Sequence, residues 1–260
     1  MKFHGSRPLW GAAVVLLALT QALSAGVIRV SAGSFVAGSG LITFSEFAVG
    51  TVNPTYAPAT YGGGAGSPTV TFEGFFTGQS LGTSGTCPVG GALTGCVVGS
   101  PTNPLSLAAA APDTSIVTDS ANPTSPVLSG SPLFNGPIAI FFSTDVAGVG
   151  LDGGFFDAVG GTSIKAFSRT GALLGSVTNT GTGIEFLGLV SDTGTNEIAG
   201  LLFSLVGPEP AGFGIDNLRF GTAGQVVVPG VPEPGSIALA LSGLALIVAR
   251  KVRLRRPANG

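Results

Sequence analysis

Acidic and amide side chains supply most of the chemistry open to this chain of 260 residues. Asp216 and Asn217 stand together where a strand-like alternation changes phase: Phe213 and Ile215 share one face, Leu218 and Phe220 the other. A β-bulge at Asp216-Asn217 produces such a shift and re-aims both side chains. Their oxygens are hard donors of the kind calcium takes. Glu46, from the first expected strand, completes a candidate calcium set if the terminal strands pair. The alternative for the same pair is an ordinary Asx turn. A second acidic stretch, Asp192-Thr193-Gly194-Thr195-Asn196, is shorter and poorer in ligands than an EF-hand loop and reads as a turn.

Catalytic chemistry can be tested by elimination. The single histidine, His4, lies in the basic N-terminal tip. A Ser-His-Asp triad, a Cys-His pair and a histidine zinc site therefore have no histidine to use in the body of the chain. Two carboxylates suffice for glycoside hydrolysis, and Asp145, Asp152, Asp157 and Glu185 are available, but their spacing does not favour it. Gly62-Gly63-Gly64 and Gly153-Gly154 lack the strand–glycine–helix context and the Lys-Ser/Thr of a phosphate loop, so they read as turns. The sequence points to a protein that is not an enzyme.

Charge placement narrows the partners. The net charge is only -2, yet all thirteen acids lie between Pro8 and Ala249, where the basic residues are Arg29, Lys165, Arg169 and Arg219. An acidic body between two basic tips repels phosphate backbones, which excludes nucleic acid as a partner. Cys87 and Cys96 are the two cysteines. In an oxidising compartment they are expected to pair, closing a short loop worth roughly 2–3 kcal/mol on the chain-entropy estimate.

The elements that must position these residues are strands. Gly at 43 and Pro at 18 argue against long helices and for short strands joined by turns. Residues 51–137 hold eleven of the eighteen prolines and read as loop-rich. Two strands stand out before and within that stretch, Gly40–Phe47 and Thr69–Phe76. After Pro137 seven runs follow at nearly even spacing: Ile138–Phe142, Val149–Phe156, Thr162–Ser168, Ala172–Thr178, Ile184–Val190, Ile198–Val206 and Phe213–Phe220. Arg169-Thr170-Gly171 reads as a hairpin turn, with Gly supplying positive φ. Sheets with no helix between them must cover each other, which predicts an all-β, antiparallel, jelly-roll-like sandwich over residues 26–228.

Both tips read as signals. Lys2, His4 and Arg7 precede an apolar run from Leu9 to about Leu19, and then the small residues of Ala22-Leu23-Ser24-Ala25. This is the layout of a secretory signal peptide over 1–25, cleaved near Ser24 or Ala25. The other tip, residues 229–260, has three parts in order: Val231-Pro232-Glu233-Pro234-Gly235, an apolar segment Ser236–Ala249, and the basic cluster Arg250, Lys251, Arg253, Arg255 and Arg256. Fourteen helical residues rise about 21 Å, short of a hydrocarbon core of roughly 30 Å. Flanking arginines and lysine can snorkel to lengthen the span, and thinning of the bilayer absorbs the rest. A single transmembrane helix over about 235–250 is therefore expected, with its basic end on the cytoplasmic side. Pro232 and Pro234 keep the preceding stretch extended.

Over Val231 to Arg256 the chain resembles the PEP-CTERM family, exported bacterial proteins whose Pro-Glu-Pro, short apolar helix and basic tail are read by an exosortase. The resemblance implies delivery to the cell envelope, transient membrane anchoring through the C-terminal helix, and processing near the motif by an exosortase-type enzyme. Specificity lies in the order of the parts, because Pro208-Glu209-Pro210 repeats the tripeptide with no apolar run behind it and reads as a loop. A GPI anchor, the rival three-part signal, wants small residues at its cleavage site and no basic terminus. The expected role is an exported, non-enzymatic envelope or matrix protein. A carbohydrate-binding module in an extracellular polysaccharide matrix and an ice- or surface-adhesion protein are the alternatives, with a carboxylate-based glycosidase behind them.

Overall fold

The structure, a computed structural model, describes residues 26–210 and 213–229. The expected signal peptide and the motif, helix and basic tail from residue 231 onward lie outside the described residues. Among the described residues no helix is long and apolar enough to cross a membrane.

Among the described residues, fifteen strands run from β1 (Val27–Val30) and β2 (Gly40–Ile42) through β3 (Thr55–Tyr56) and β4 (Val70–Glu73) to β5 (Gln79–Leu81) and β6 (Val97–Gly99). Next come β7 (Thr114–Asp119), β8 (Asn122–Gly130), β9 (Ile138–Val146), β10 (Gly148–Phe156) and β11 (Thr162–Phe167). The last are β12 (Leu173–Thr178), β13 (Gly183–Ser191), β14 (Ile198–Leu205) and β15 (Gly214–Gly221). They form an all-β, sandwich-like fold. One sheet has the order β1-β13-β10-β15-β8-β7, with β2 also on β15; the other has the order β12-β11-β14-β9-β4-β3. The pairings are antiparallel, and β5 with β6 forms a separate ribbon.

One core lies between the two large sheets. Val149, Leu151, Leu187, Leu189, Ile215, Leu218 and Phe220 enter it from the first sheet. Ile138, Ile140, Phe142, Ile164, Leu201 and Phe203 enter from the second. The period-2 alternation sends their neighbours to the opposite faces. In β14 both faces are buried, because Leu202 and Ala199 meet a second apolar cluster with Phe75, Phe76, Val97, Leu105 and Phe167. Part of the proline-rich stretch is thus a cover over the back of the second sheet.

All seven strands expected after Pro137 are present, and the β11–β12 hairpin turns at Gly171 with φ 77°. Two expected strands are shorter than the sequence suggests. Gly40–Phe47 ends at Ile42, because Phe44 takes φ 56° and the Glu46 carboxylate folds back onto Thr43. Thr69–Phe76 narrows to Val70–Glu73. The stretch read as loops also contains the β7–β8 hairpin. Its prolines, Pro123 and Pro126, fall between Asn122 and Val127, where no residue of β8 has a ladder partner, so the missing N–H groups cost no ladder bond.

Candidate functional site

The expected bulge is in place. Between β10 and β15, Gly150 opposes Arg219 and Asp152 opposes Asp216, so β15 carries one extra residue over that interval. Asn217 takes up the slack at φ 47°, in the left-handed region that Asn tolerates better than most residues. The terminal strands also pair, with Leu218 opposite Ile42 and Phe220 opposite Gly40. On that same edge of β15, Ile215 opposes Leu128 of β8. The edge therefore changes partner at the bulge, and Asp216 sits at the split.

A cleft of about 90 Å³ opens there, on the side of the first sheet away from the shared core, lined among others by Asp119, Asn122, Asp152, Ile184, Asp216 and Asn217. Asp216 is 5% exposed. Its Oδ2 accepts from Asn122 Nδ2 at 2.8 Å, and its Oδ1 from the Asn217 N–H at 2.7 Å. Asn217 Nδ2 donates to Asp152 Oδ2 at 2.9 Å. Burial pushes the Asp216 carboxyl up from the ordinary aspartate range; hydrogen bonds from Asn217, Asn122 and Ser125 oppose this, while the Asp152 charge adds to it. Two carboxylates facing each other across a ladder repel. Here the amides of Asn122 and Asn217 are the groups that offset the repulsion.

Glu46 does not join them. Its Oε1 accepts from the Thr43 N–H and the Thr43 hydroxyl, both at 2.9 Å, and it makes no hydrogen bond with Asp216 or Asn217. The three residues expected as calcium ligands therefore do not share one hydrogen-bonded cluster. Among the described residues, no group of three or more His, Cys, Asp or Glu side chains is placed to hold a metal.

The other candidates are dispersed. Of the four carboxylates weighed for hydrolysis, only Asp152 lines the cleft. Asp145 accepts from Arg169 Nε at 2.9 Å. Glu185 takes the N–H groups of Thr180 and Gly181 at 2.8 Å and pairs with Arg29. Burial raises its carboxyl, but those hydrogen bonds and Arg29 prevail and hold it below the ordinary glutamate range. The backbone N–H of Asp157 donates to Glu209. In the 192–196 turn, Thr193 and Thr195 donate their hydroxyls to Glu197 at 3.1 and 2.6 Å. Cys87 and Cys96 are joined in a disulfide with a Cα–Cα distance of 6.0 Å.

Pro208-Glu209-Pro210 is a loop without helix or strand, and its glutamate is fully buried. Glu209 accepts from the Asp157 N–H at 3.0 and 3.2 Å and from the Ala158 N–H at 3.3 Å, while its carbonyl takes the Ala92 N–H at 2.9 Å. Burial raises its carboxyl, the two backbone donors oppose, and the Asp157 charge adds to the rise. Sequence reasoning missed Asn122 and Asp119 in the cleft and the inward role of Glu209. Asn122 carried no usable signal, because it lies 94 residues from its partner.

The fold and cleft together define an antiparallel all-β sandwich with an acid-and-amide cleft on an outer sheet face. Compared with known proteins, the chain matches no family model and no curated sequence.

Proposed function

We propose that this chain is an exported, non-enzymatic protein of the bacterial envelope or extracellular matrix, sorted by an exosortase-type enzyme, with a jelly-roll-like sandwich as its structural or binding module. The observation that carries the reading is the fixed order of Val231-Pro232-Glu233-Pro234-Gly235, an apolar run and a basic tail. The inner Pro-Glu-Pro sharpens it: its prolines are exposed but Glu209 is buried, so that copy withholds its glutamate from a processing enzyme. The C-terminal helix anchors the chain in the membrane until processing releases it.

A second reading makes the sandwich a carbohydrate-binding module, and the cleft favours it. Paired carboxylates and amides suit sugar hydroxyls, and the half-exposed Ile184 gives the lining an apolar edge. A glycan array on the exported protein addresses this ligand class.

Sorting is tested by mass spectrometry of the envelope fraction. The wild-type protein is expected to have lost the tail that contains Arg256. A Pro232→Ala, Pro234→Ala variant is expected to be exported but to keep that tail. Recovery of wild-type surface protein with the tail intact would overturn the sorting assignment.

A further inference from the structure

The turn that ends β2 buries two polar atoms that have no partner. Glu46 spends Oε1 on Thr43, while its Oε2 is buried and accepts no hydrogen bond. The hydroxyl of Tyr56 is in the same condition, on a residue that is 0% exposed. The Tyr56 ring lies 6.0 Å from that of Phe44 and 4.8 Å from that of Phe47, the aromatics that bracket Glu46 in the chain. The Glu46 charge also adds to burial in pushing the Tyr56 phenol up. A buried donor and a buried carboxylate oxygen left unpaired each forfeit their full hydration.

We propose that one internal water bridges Tyr56 Oη and Glu46 Oε2, accepting the phenol hydrogen and donating to the carboxylate oxygen. Water performs both roles at once, and buried waters characteristically satisfy two to four otherwise unpaired polar groups. Calcium does not fit, since it takes six to eight oxygens, whereas Tyr56 packs against the rings of Phe44, Phe47 and Phe72. The bridge has a role beyond its own site. Glu46 holds Thr43, and the Thr43 carbonyl accepts from Ser125 Oγ of β8 at 3.3 Å. The water is thus the inner end of a hydrogen-bond chain that fixes the unladdered part of β8 beside the cleft. Glu46 becomes a positioning residue for that part of β8.

The test pairs a high-resolution crystal structure of the exported protein with melts of Tyr56→Phe, Glu46→Gln and the double variant. Density is expected for one water within hydrogen-bond distance of both oxygens. Tyr56→Phe should lower the melting midpoint by about 2–4 °C, and the double variant should lose less than the sum of the singles. A dry, orphaned hydroxyl predicts the opposite sign, because its removal relieves a buried unpaired group. A raised midpoint for Tyr56→Phe, strict additivity, a direct Tyr56–Glu46 bond or an empty site in the crystal would each overturn the proposal.

Discussion

Glu209 and Asp216 are both buried carboxylates, 0% and 5% exposed, and in both burial pushes the carboxyl up. Their surroundings differ. Glu209 is held by backbone N–H groups of Asp157 and Ala158, and its own carbonyl ties in Ala92 of the disulfide loop. Backbone donors cannot move without moving the fold, so this carboxylate works as a plug that fastens three loops. Asp216 is held partly by a side-chain amide, opposes a second carboxylate, and borders a cleft. Such donors can turn away toward a ligand. The same residue chemistry is structural where its donors belong to the backbone, and available for binding where they belong to side chains.

The largest expected effect breaks the plug. Glu209→Ala leaves two N–H groups without their partner and opens a hole, which should cost about 3 kcal/mol in a urea melt. A loss below about 1 kcal/mol would mean that the loops hold without it, and the contrast with Asp216 would disappear.

Asp216→Asn should change stability far less and should reveal the sign of its pH dependence. A folded-state pKa raised above the unfolded value, about 3.9 for aspartate, means that ionisation is resisted by the fold. The stability contributed by Asp216 is then complete below the unfolded pKa and is lost as the pH rises through the folded one. Asn keeps an acceptor for Asn122 and carries no charge. The wild type should therefore lose ground to Asp216→Asn as the pH climbs from acid toward neutral, to within about 1 kcal/mol of it or below it at pH 7. Parallel pH–stability curves for the two proteins would remove the electrostatic part of the comparison.

The smallest effect concerns calcium. Both oxygens of Asp216 already accept N–H donors, so midpoints measured with calcium and with chelator are expected to agree within about 1 °C. A rise of several degrees in calcium, removed by Asp216→Ala, would restore a cation to the cleft and make the amides its second choice.

Much of the second half of the sandwich was legible in residue order. Strand alternation, the Gly171 turn and the phase change at Asp216-Asn217 are local features, and a period of two or a glycine at positive φ acts within a few residues. The cover formed by Phe75, Phe76, Val97 and Leu105 was not legible, because a proline-rich stretch of short apolar runs looks alike whether it wanders or packs. Nor was the shortening of the first strand, which depends on Glu46 turning back onto Thr43.

By itself the sequence determined the acidic body, the placing of the single histidine at the N-terminal tip, the order of apolar and basic residues at the two tips and the β periodicity, all properties of composition or of nearest neighbours. The tertiary structure alone decided which acids meet. Asp216 opposes Asp152 because β15 lies beside β10, and Asn122 reaches it because β8 shares β15's other edge with β2. Those neighbours are chosen by how two sheets close over one core, a choice made across 65 and 94 residues of chain, where no local pattern reaches.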